Sequence, residues 1–450
     1  MRVRGIFPSG GPADARTLIT ALKRSDTGRA AGMGVAVIAQ NLLALVFTIV
    51  FARVLGATGY GSLAVLVSAF IILMVPGSAL QIAVARRLSR ERASGAADAG
   101  VGVRRWLALL AIATVAVALV AIPLRSVIGA IINVDELWGA AAVPVTAMLW
   151  VILCVERGAL QGFERYRIVA LSIVGDAGLR IVFALLLVGV GLDVSGAFVG
   201  TGLAFVAVAL LLLAPLGAEL PPPDERSAGD ARLGELLMGA RVPVLALTLL
   251  LAIQELHVIV VKHEVSGDAA GSYAVAAVAA KAIIWIAVGL GLYLVPEAAR
   301  RAAVGGDTRA ILLRCLSLIA LAGIPMVLIY AVVGKPLLEA VFGEDLTLAS
   351  DALPWLGLAM VLLACTYLSV QYLLALHRYR FTWILGAAMV VEVGALVAIG
   401  DDLTQVAIAL MVVQALCAGA VLSLALRWRP APRAPDRVAE PAPMAASLVE

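Results

Sequence analysis

Apolar runs of about twenty residues recur from residue 31 to residue 426. Wound as a helix, each run is long enough to cross the ~30 Å hydrocarbon core of a bilayer. The whole chain is 62% hydrophobic and only 14% charged, whereas a soluble domain carries about 25% charged residues. The expected fold class is therefore an all-α polytopic membrane protein. A helix-length hydropathy window places about twelve spans, at 31–52, 61–84, 106–124, 138–157, 168–190, 195–215, 242–262, 272–296, 315–333, 352–376, 382–399 and 404–426. The segment up to Arg29 is polar and basic and lacks the arrangement of a cleaved signal peptide. The first span is expected to serve as its own insertion signal.

Basic residues set the expected orientation. They crowd the N-terminal tail (Arg2, Arg4, Arg16, Lys23, Arg24, Arg29) and the loop after span two (Arg86, Arg87, Arg90, Arg92, Arg104, Arg105). They continue in the even-numbered loops, with Arg157, Arg165, Arg167, Arg226, Arg232, Arg241, Arg300, Arg301, Arg309, Arg314, Arg378 and Arg380, and in the C-terminal tail. The opposite side offers only Arg53, Arg125, Lys262 and Lys335. Both termini are thus expected on the cytoplasmic side of the cell membrane. The net charge of +4 follows from this placement, and no nucleic-acid partner is expected.

Short motifs recur at an offset of about 210 to 214 residues. Gly61-Ser62-Leu63-Ala64-Val65 matches Gly271-Ser272-Tyr273-Ala274-Val275; Ala85-Arg86-Arg87 matches Ala299-Arg300-Arg301; Arg165-Tyr166-Arg167 matches Arg378-Tyr379-Arg380. Three matches in order imply two halves of six helices. Six is even, so both halves insert alike, and the expected pseudo-twofold axis runs along the membrane normal. The implied organisation is a basic tail (1–30), an N-lobe (31–215), a Pro-rich cytoplasmic linker (216–241), a C-lobe (242–426) and a disordered tail (427–450).

The candidate chemistry lies in ionisable groups at membrane depth, which cost several kcal/mol unless paired or wet. Lys281 stands near the middle of its apolar segment. Its functional reading is a cation in a water-filled cavity; the alternative is a salt bridge to Glu255 that holds two helices in register. Arg180 and Asp176 share one face of span five. They either neutralise each other across one turn or offer the guanidinium fork to a phosphate, with Gly175 and Gly178 thinning the helix for close packing. Glu255 and His257 are candidate coupling groups, each with a purely structural alternative. Arg53 and Lys262 mark the outer ends of the first helix of each half, where they bind anions or snorkel to the interface. Gln40, Asn41 and Glu392 are further polar groups within spans. Cys154, Cys315, Cys365 and Cys417 form no CxxC and read as small buried hydrophobes. The histidines make no metal-binding pattern, there is no GxxxxGK[ST] loop, and no cofactor is expected.

The stretch Arg53-Val-Leu-Gly-Ala-Thr-Gly-Tyr-Gly-Ser-Leu-Ala resembles the R-x-L-G-x-x-x-Y-G pattern of polysaccharide flippases, after their first helix. Leu160-Gln-Gly-Phe-Glu-Arg-Tyr-Arg is similar to their loop after helix four, and Val261-Lys262 through Gly271-Ser-Tyr-Ala, with Tyr293-Leu-Val-Pro296, to the opening of their second lobe. The resemblance covers about Gly32 to Leu426. It points to the lipid-linked oligosaccharide flippases of the multidrug/oligosaccharidyl-lipid/polysaccharide exporter superfamily. Many of those relatives carry an aspartate in helix seven, where this chain has His257 with Glu255 two residues earlier.

The resemblance implies two six-helix lobes in a V that open alternately to each side. It also implies a polyprenyl-pyrophosphate-linked oligosaccharide as substrate, surrounding membrane lipids, and a glycan polymerase or glycosyltransferase as partner. Lys281, Arg180, Lys262 and Arg53 would meet the anionic head. An ion-coupled exporter of small amphiphiles and a non-transporting scaffold remain the alternatives; the scaffold requires both Lys281 and Arg180 to be capped by carboxylates. An enzyme is disfavoured because the outer loops are short.

Overall fold

The computed structural model describes residues 26–94, 100–220, 233–239, 241–265 and 267–427. The described residues are helical almost throughout. The helices are α1 (Asp26–Leu73), α2 (Val75–Ala93), α3 (Val101–Ala121), α4 (Arg125–Ile132), α5 (Leu137–Gly162), α6 (Tyr166–Leu187) and α7 (Asp193–Glu219). They continue as α8 (Leu233–Gly239), α9 (Arg241–Glu264), α10 (Asp268–Ala280), α11 (Ala282–Ala303), α12 (Arg309–Phe342), α13 (Leu353–Ala375), α14 (Phe381–Ile399) and α15 (Leu403–Arg427).

Among the described residues ten helical stretches are long and apolar enough to cross a membrane, and two of these, of 62 and 54 residues, are well over twice the ~20 residues one crossing needs. Each long stretch is interrupted where its backbone turns. Gly56, with φ at 66°, breaks α1 in the left-handed region that glycine enters without steric cost. The π turn Val188–Leu192 separates α6 from α7. Dividing the two stretches there yields the twelve segments that hydropathy predicts, and the chain is a multi-pass membrane protein. Proline has the same effect elsewhere: Pro76 stands at the start of α2, and α12 leaves helical geometry at Val333, three residues ahead of Pro336.

The helices run past the apolar spans, which corrects several loop assignments. Arg86, Arg87, Arg90 and Arg92 belong to α2 rather than to a loop. Arg92 donates to the Phe163 carbonyl at 2.9 Å, and Arg87 pairs with Glu91 at 2.6 Å. Residues 26–30 are helical, not tail. The expected linker is ordered at both ends: α7 runs to Glu219, with Leu216 buried, and α8 lies within the linker's second half. Its centre, the basic residues up to Arg24 and the C-terminal tail beyond Arg427 lie outside the described residues.

Packing divides the chain into two units. Among the described residues, the first holds those up to Thr248, with Val265–Ala274 and Val341–Leu346; the second holds Leu249–Glu264, Val275–Ala340 and those from Thr347 on. In the first, α5 is central and packs on α2, α3 and α7, while α6 packs on α7 and α1. In the second, α13 packs on α15 and α11, and α14 packs on α15. The burial pattern repeats along the chain. The most apolar 18-residue window is 61% buried in α5 and 67% in α13, against 11% in α3 and 17% in α12. Helices that correspond at the repeat offset thus share a central or a peripheral place.

Within the first unit, residues equivalent under the repeat meet each other. A Cβ on Gly61 would lie 3.1 Å from the Gly271 nitrogen, and one on Gly271 would lie 1.8 Å from the Ala57 carbonyl oxygen. Thr58 donates to Asp268 at 2.8 Å, again 210 residues apart. Gly175 and Gly178, expected to allow close packing, have nothing within 4 Å of a built Cβ. The tight approach of α6 is made instead by Ala184, whose nitrogen would lie 2.5 Å from a Cβ on Gly200.

At the start of α15, Asp402 accepts hydrogen bonds from the backbone N–H groups of Thr404 and Gln405, each at 3.0 Å, and from the Gln405 side chain at 2.8 Å. This is a capping arrangement that satisfies otherwise orphaned donors. The Gln405 backbone N–H is the main cause holding the Asp402 carboxyl below its ordinary range. Its stabilisation is therefore complete above the ordinary carboxylate range and is lost as pH falls through the lowered value.

The glycine contacts give a testable contrast. Gly271→Ala is expected to destabilise by about 1–3 kcal/mol through overpacking. Gly175→Ala is expected to be neutral or to stabilise by up to about 1 kcal/mol, as alanine does in an open helix position. Thermal unfolding of the purified protein in detergent reads both.

Candidate functional site

The second unit holds a polar cluster at the break between α10 and α11. Lys281 occupies the break itself. Its backbone N–H is shared between the Ala277 and Val278 carbonyls, at 3.1 and 3.2 Å, a tightened turn of the kind that often marks a hinge. The Tyr330 hydroxyl donates to the Ala279 carbonyl just before it, at 2.7 Å. From this corner the Lys281 ammonium reaches Glu255 on α9 at 2.8 Å. The other Glu255 oxygen accepts from the Gln254 amide at 2.9 Å. Each carboxylate oxygen therefore has a donor, the condition under which a buried charge is tolerated. Glu255 is 2% exposed at its side chain and Lys281 13%. His257 is fully buried on the same helix.

Of the two readings of Lys281, the structure displays the ion pair with Glu255. The lysine is not a bare cation. Of the remaining expected residues, Arg53 is exposed and its guanidinium donates to the Val341 carbonyl at 3.0 and 3.2 Å, and Lys262 is partly exposed near the end of α9.

The first unit holds a second cluster, in which Asp176, read from the sequence as either neutralising Arg180 or leaving it free for phosphate, forms its ion pair with another residue. Asp176 instead accepts from Arg157 at 2.5 Å. Arg157 also donates to the Ser172 hydroxyl at 2.9 Å and to the Ser172 carbonyl at 2.8 Å, and its guanidinium carbon lies 5.7 Å from the Trp150 ring centroid. Arg157 is 1% exposed. It is thus not a loop cation that sets orientation, as its position after the fourth apolar run suggests. The signal that could have found it is Gly158-x-x-x-Gly162. Small residues four apart let α5 continue in close contact with α2, and a Cβ on Gly158 would lie 2.5 Å from the Gln81 carbonyl oxygen.

With Asp176 held by Arg157, Arg180 lies over the face of Phe47, its guanidinium carbon 4.7 Å from the ring centroid. Its Nε is buried and has no hydrogen-bond partner among the described residues. The cation is held by an aromatic face, with Asp176 as its nearby opposite charge. This differs from Lys281, which bonds its carboxylate directly.

No protein-family profile matches this sequence, and no curated protein does. Solved structures do match. One is a multidrug resistance MATE family transporter of the MOP superfamily in an inward-facing conformation, with a TM-score of 0.74, 15% identity, and coverage of 86% of this chain and 94% of that one. Another is a multidrug resistance MATE family transporter in an outward-facing conformation, with a TM-score of 0.62, 16% identity, and coverage of 92% and 96%. A MATE structure in complex with MaD3S scores 0.62 at 15% identity, with coverage of 92% and 96%. The fold of this chain is a MATE-like polytopic fold.

Lys281→Ala strips the ammonium from a buried carboxylate and is expected to destabilise by about 3–5 kcal/mol. Changing both members together (Lys281→Met with Glu255→Leu) is expected to cost less than the two single changes summed. A double-mutant cycle on detergent melting curves checks this. Additive costs would show that the pair is not energetically coupled.

Proposed function

We propose that this protein is a membrane transporter that works by alternating access, and that it moves a polyprenyl-pyrophosphate-linked oligosaccharide across the cell membrane for surface polysaccharide synthesis. A pyrophosphate bearing sugars does not cross hydrocarbon unaided, because its charged and polar groups lose their hydration. The observation that carries the reading is Arg180: a guanidinium in a membrane helix, fixed on Phe47, whose neighbouring carboxylate is engaged by Arg157. It has the fork geometry that suits phosphate.

In this reading Lys281 is a second, conditional anion site. An arriving phosphate exchanges with Glu255 as the partner of Lys281, one anion replacing another, so the ammonium is never left alone. Glu255, with His257 on the same helix, is then the natural coupling group. Arg53 and Lys262 would receive the head at the outer end. The two halves, residues 31–215 and 242–426, would be the moving bodies, with both termini cytoplasmic and a glycan polymerase or glycosyltransferase nearby.

A second reading, export of small amphiphiles driven by an ion gradient, is favoured by the neutralisation of Lys281 by Glu255, which leaves less positive charge for a pyrophosphate. It also accords with the multidrug resistance description of a similar structure. A non-transporting scaffold fits less well, since it requires Arg180 to be capped by a carboxylate.

The test is deletion of the gene in its host, followed by mass spectrometry of lipid-linked sugars. Accumulation of one polyprenyl-linked oligosaccharide with loss of the matching surface glycan is the expected result. An unchanged lipid-linked pool in a host without a second copy favours the exporter. Complementation with Arg180→Ala is expected to lower flux about tenfold to a hundredfold, the scale of losing a charged hydrogen bond, at unchanged membrane abundance.

A further inference from the structure

Away from both clusters, the second unit contains a buried pair that the transport reading leaves unused. Glu392 on α14 and Gln414 on α15 are 1% and 0% exposed. The Gln414 amide nitrogen donates to Glu392 Oε2 at 3.0 Å. Glu392 Oε1 and Gln414 Oε1 are both buried without a partner among the described residues. Both positions are well inside their helices, more than six residues from either end. Among the described residues no cation pairs with Glu392; the groups that face it are Gln414 and the Cys417 thiol, both from α15.

As a carboxylate, Glu392 would be a full negative charge at membrane depth with one hydrogen bond. Such a group is costly enough to neutralise instead. The two orphaned atoms are both acceptors, so they cannot bond each other directly. One proton resolves both. A proton on Glu392 Oε1 is donated to Gln414 Oε1 while Gln414 Nε2 continues to donate to Glu392 Oε2. The result is a closed acid–amide ring in which both buried oxygens are bonded and no net charge remains.

We propose that Glu392 and Gln414 form a proton-binding site: Glu392 takes one proton from water onto Oε1, and Gln414 holds it through a two-bond acid–amide ring. The site is separate from the Lys281–Glu255 pair and does not depend on what the protein transports. It is occluded in this conformation. A groove of about 400 Å³ beside the pair is lined by apolar residues including Val391, Val413 and Cys417, so no polar side chain leads from it to Glu392. The proton therefore exchanges only when α14 and α15 separate.

Infrared difference spectroscopy of the full-length protein in liposomes tests this at neutral pH without sodium. A carbonyl band of a protonated carboxyl is expected in the wild type, shifted in D₂O and missing from Glu392→Gln. Glu392→Gln retains a neutral amide ring and is expected to melt within a few degrees of the wild type, whereas Gln414→Leu is expected to shift the carboxyl band by removing its acceptor. Absence of a wild-type band that Glu392→Gln removes would overturn the proposal. So would a carboxylate band at this residue that responds to added sodium and not to pH, which would make the pair a metal-cation site.

Discussion

Every buried charge in this protein needs an opposite charge or a polarisable partner brought from another helix, and this need ties the apolar helices into specific neighbours. Helix association in a bilayer gains nothing from hiding apolar surface, because the lipid is equally apolar. Close packing at small residues and polar contacts between helices must supply the specificity. Arg157 bonds α5 to α6 through Ser172 and Asp176, and Lys281 bonds the α10–α11 corner to α9 through Glu255. Removing a member of such a pair costs far more than the pair contributes.

The two clusters differ in what they leave available. Around Glu255 the donors match the acceptors, and the charge is closed until something competes for Lys281. Around Asp176 one carboxylate stands beside two arginines, and Arg157 holds it. Arg180 is consequently positioned by an aromatic face, with its Nε unsatisfied. The asymmetry is one of donors: those around Asp176 outnumber its acceptors, and those around Glu255 do not.

Much of the fold was legible in the sequence. Run length and hydropathy located the spanning segments, since the bilayer imposes one length on every crossing. The repeat motifs anticipated a duplication. At that offset α5 and α13 are each largely buried, and Gly61 lies against Gly271. The Lys281–Glu255 bridge was legible as one of two alternatives. Other features were not. Gly175 and Gly178 read as packing residues and face open space, because composition does not say which face of a helix is covered. Arg157 read as a loop cation, because the apolar run stops there although the helix does not.

The sequence by itself determined that this chain crosses a membrane many times as helices, with a few ionisable groups at depth. Those follow from local quantities: run length and charge count. Only the tertiary structure decided which charge meets which, that Asp176 hydrogen-bonds Arg157 rather than Arg180, and that Glu392 faces Gln414. The reason is physical. A charge seeks the partner nearest in space, and between helices that distance is set by small-residue contacts and kinks such as Gly56 and Lys281, which act on neighbours far away in the chain.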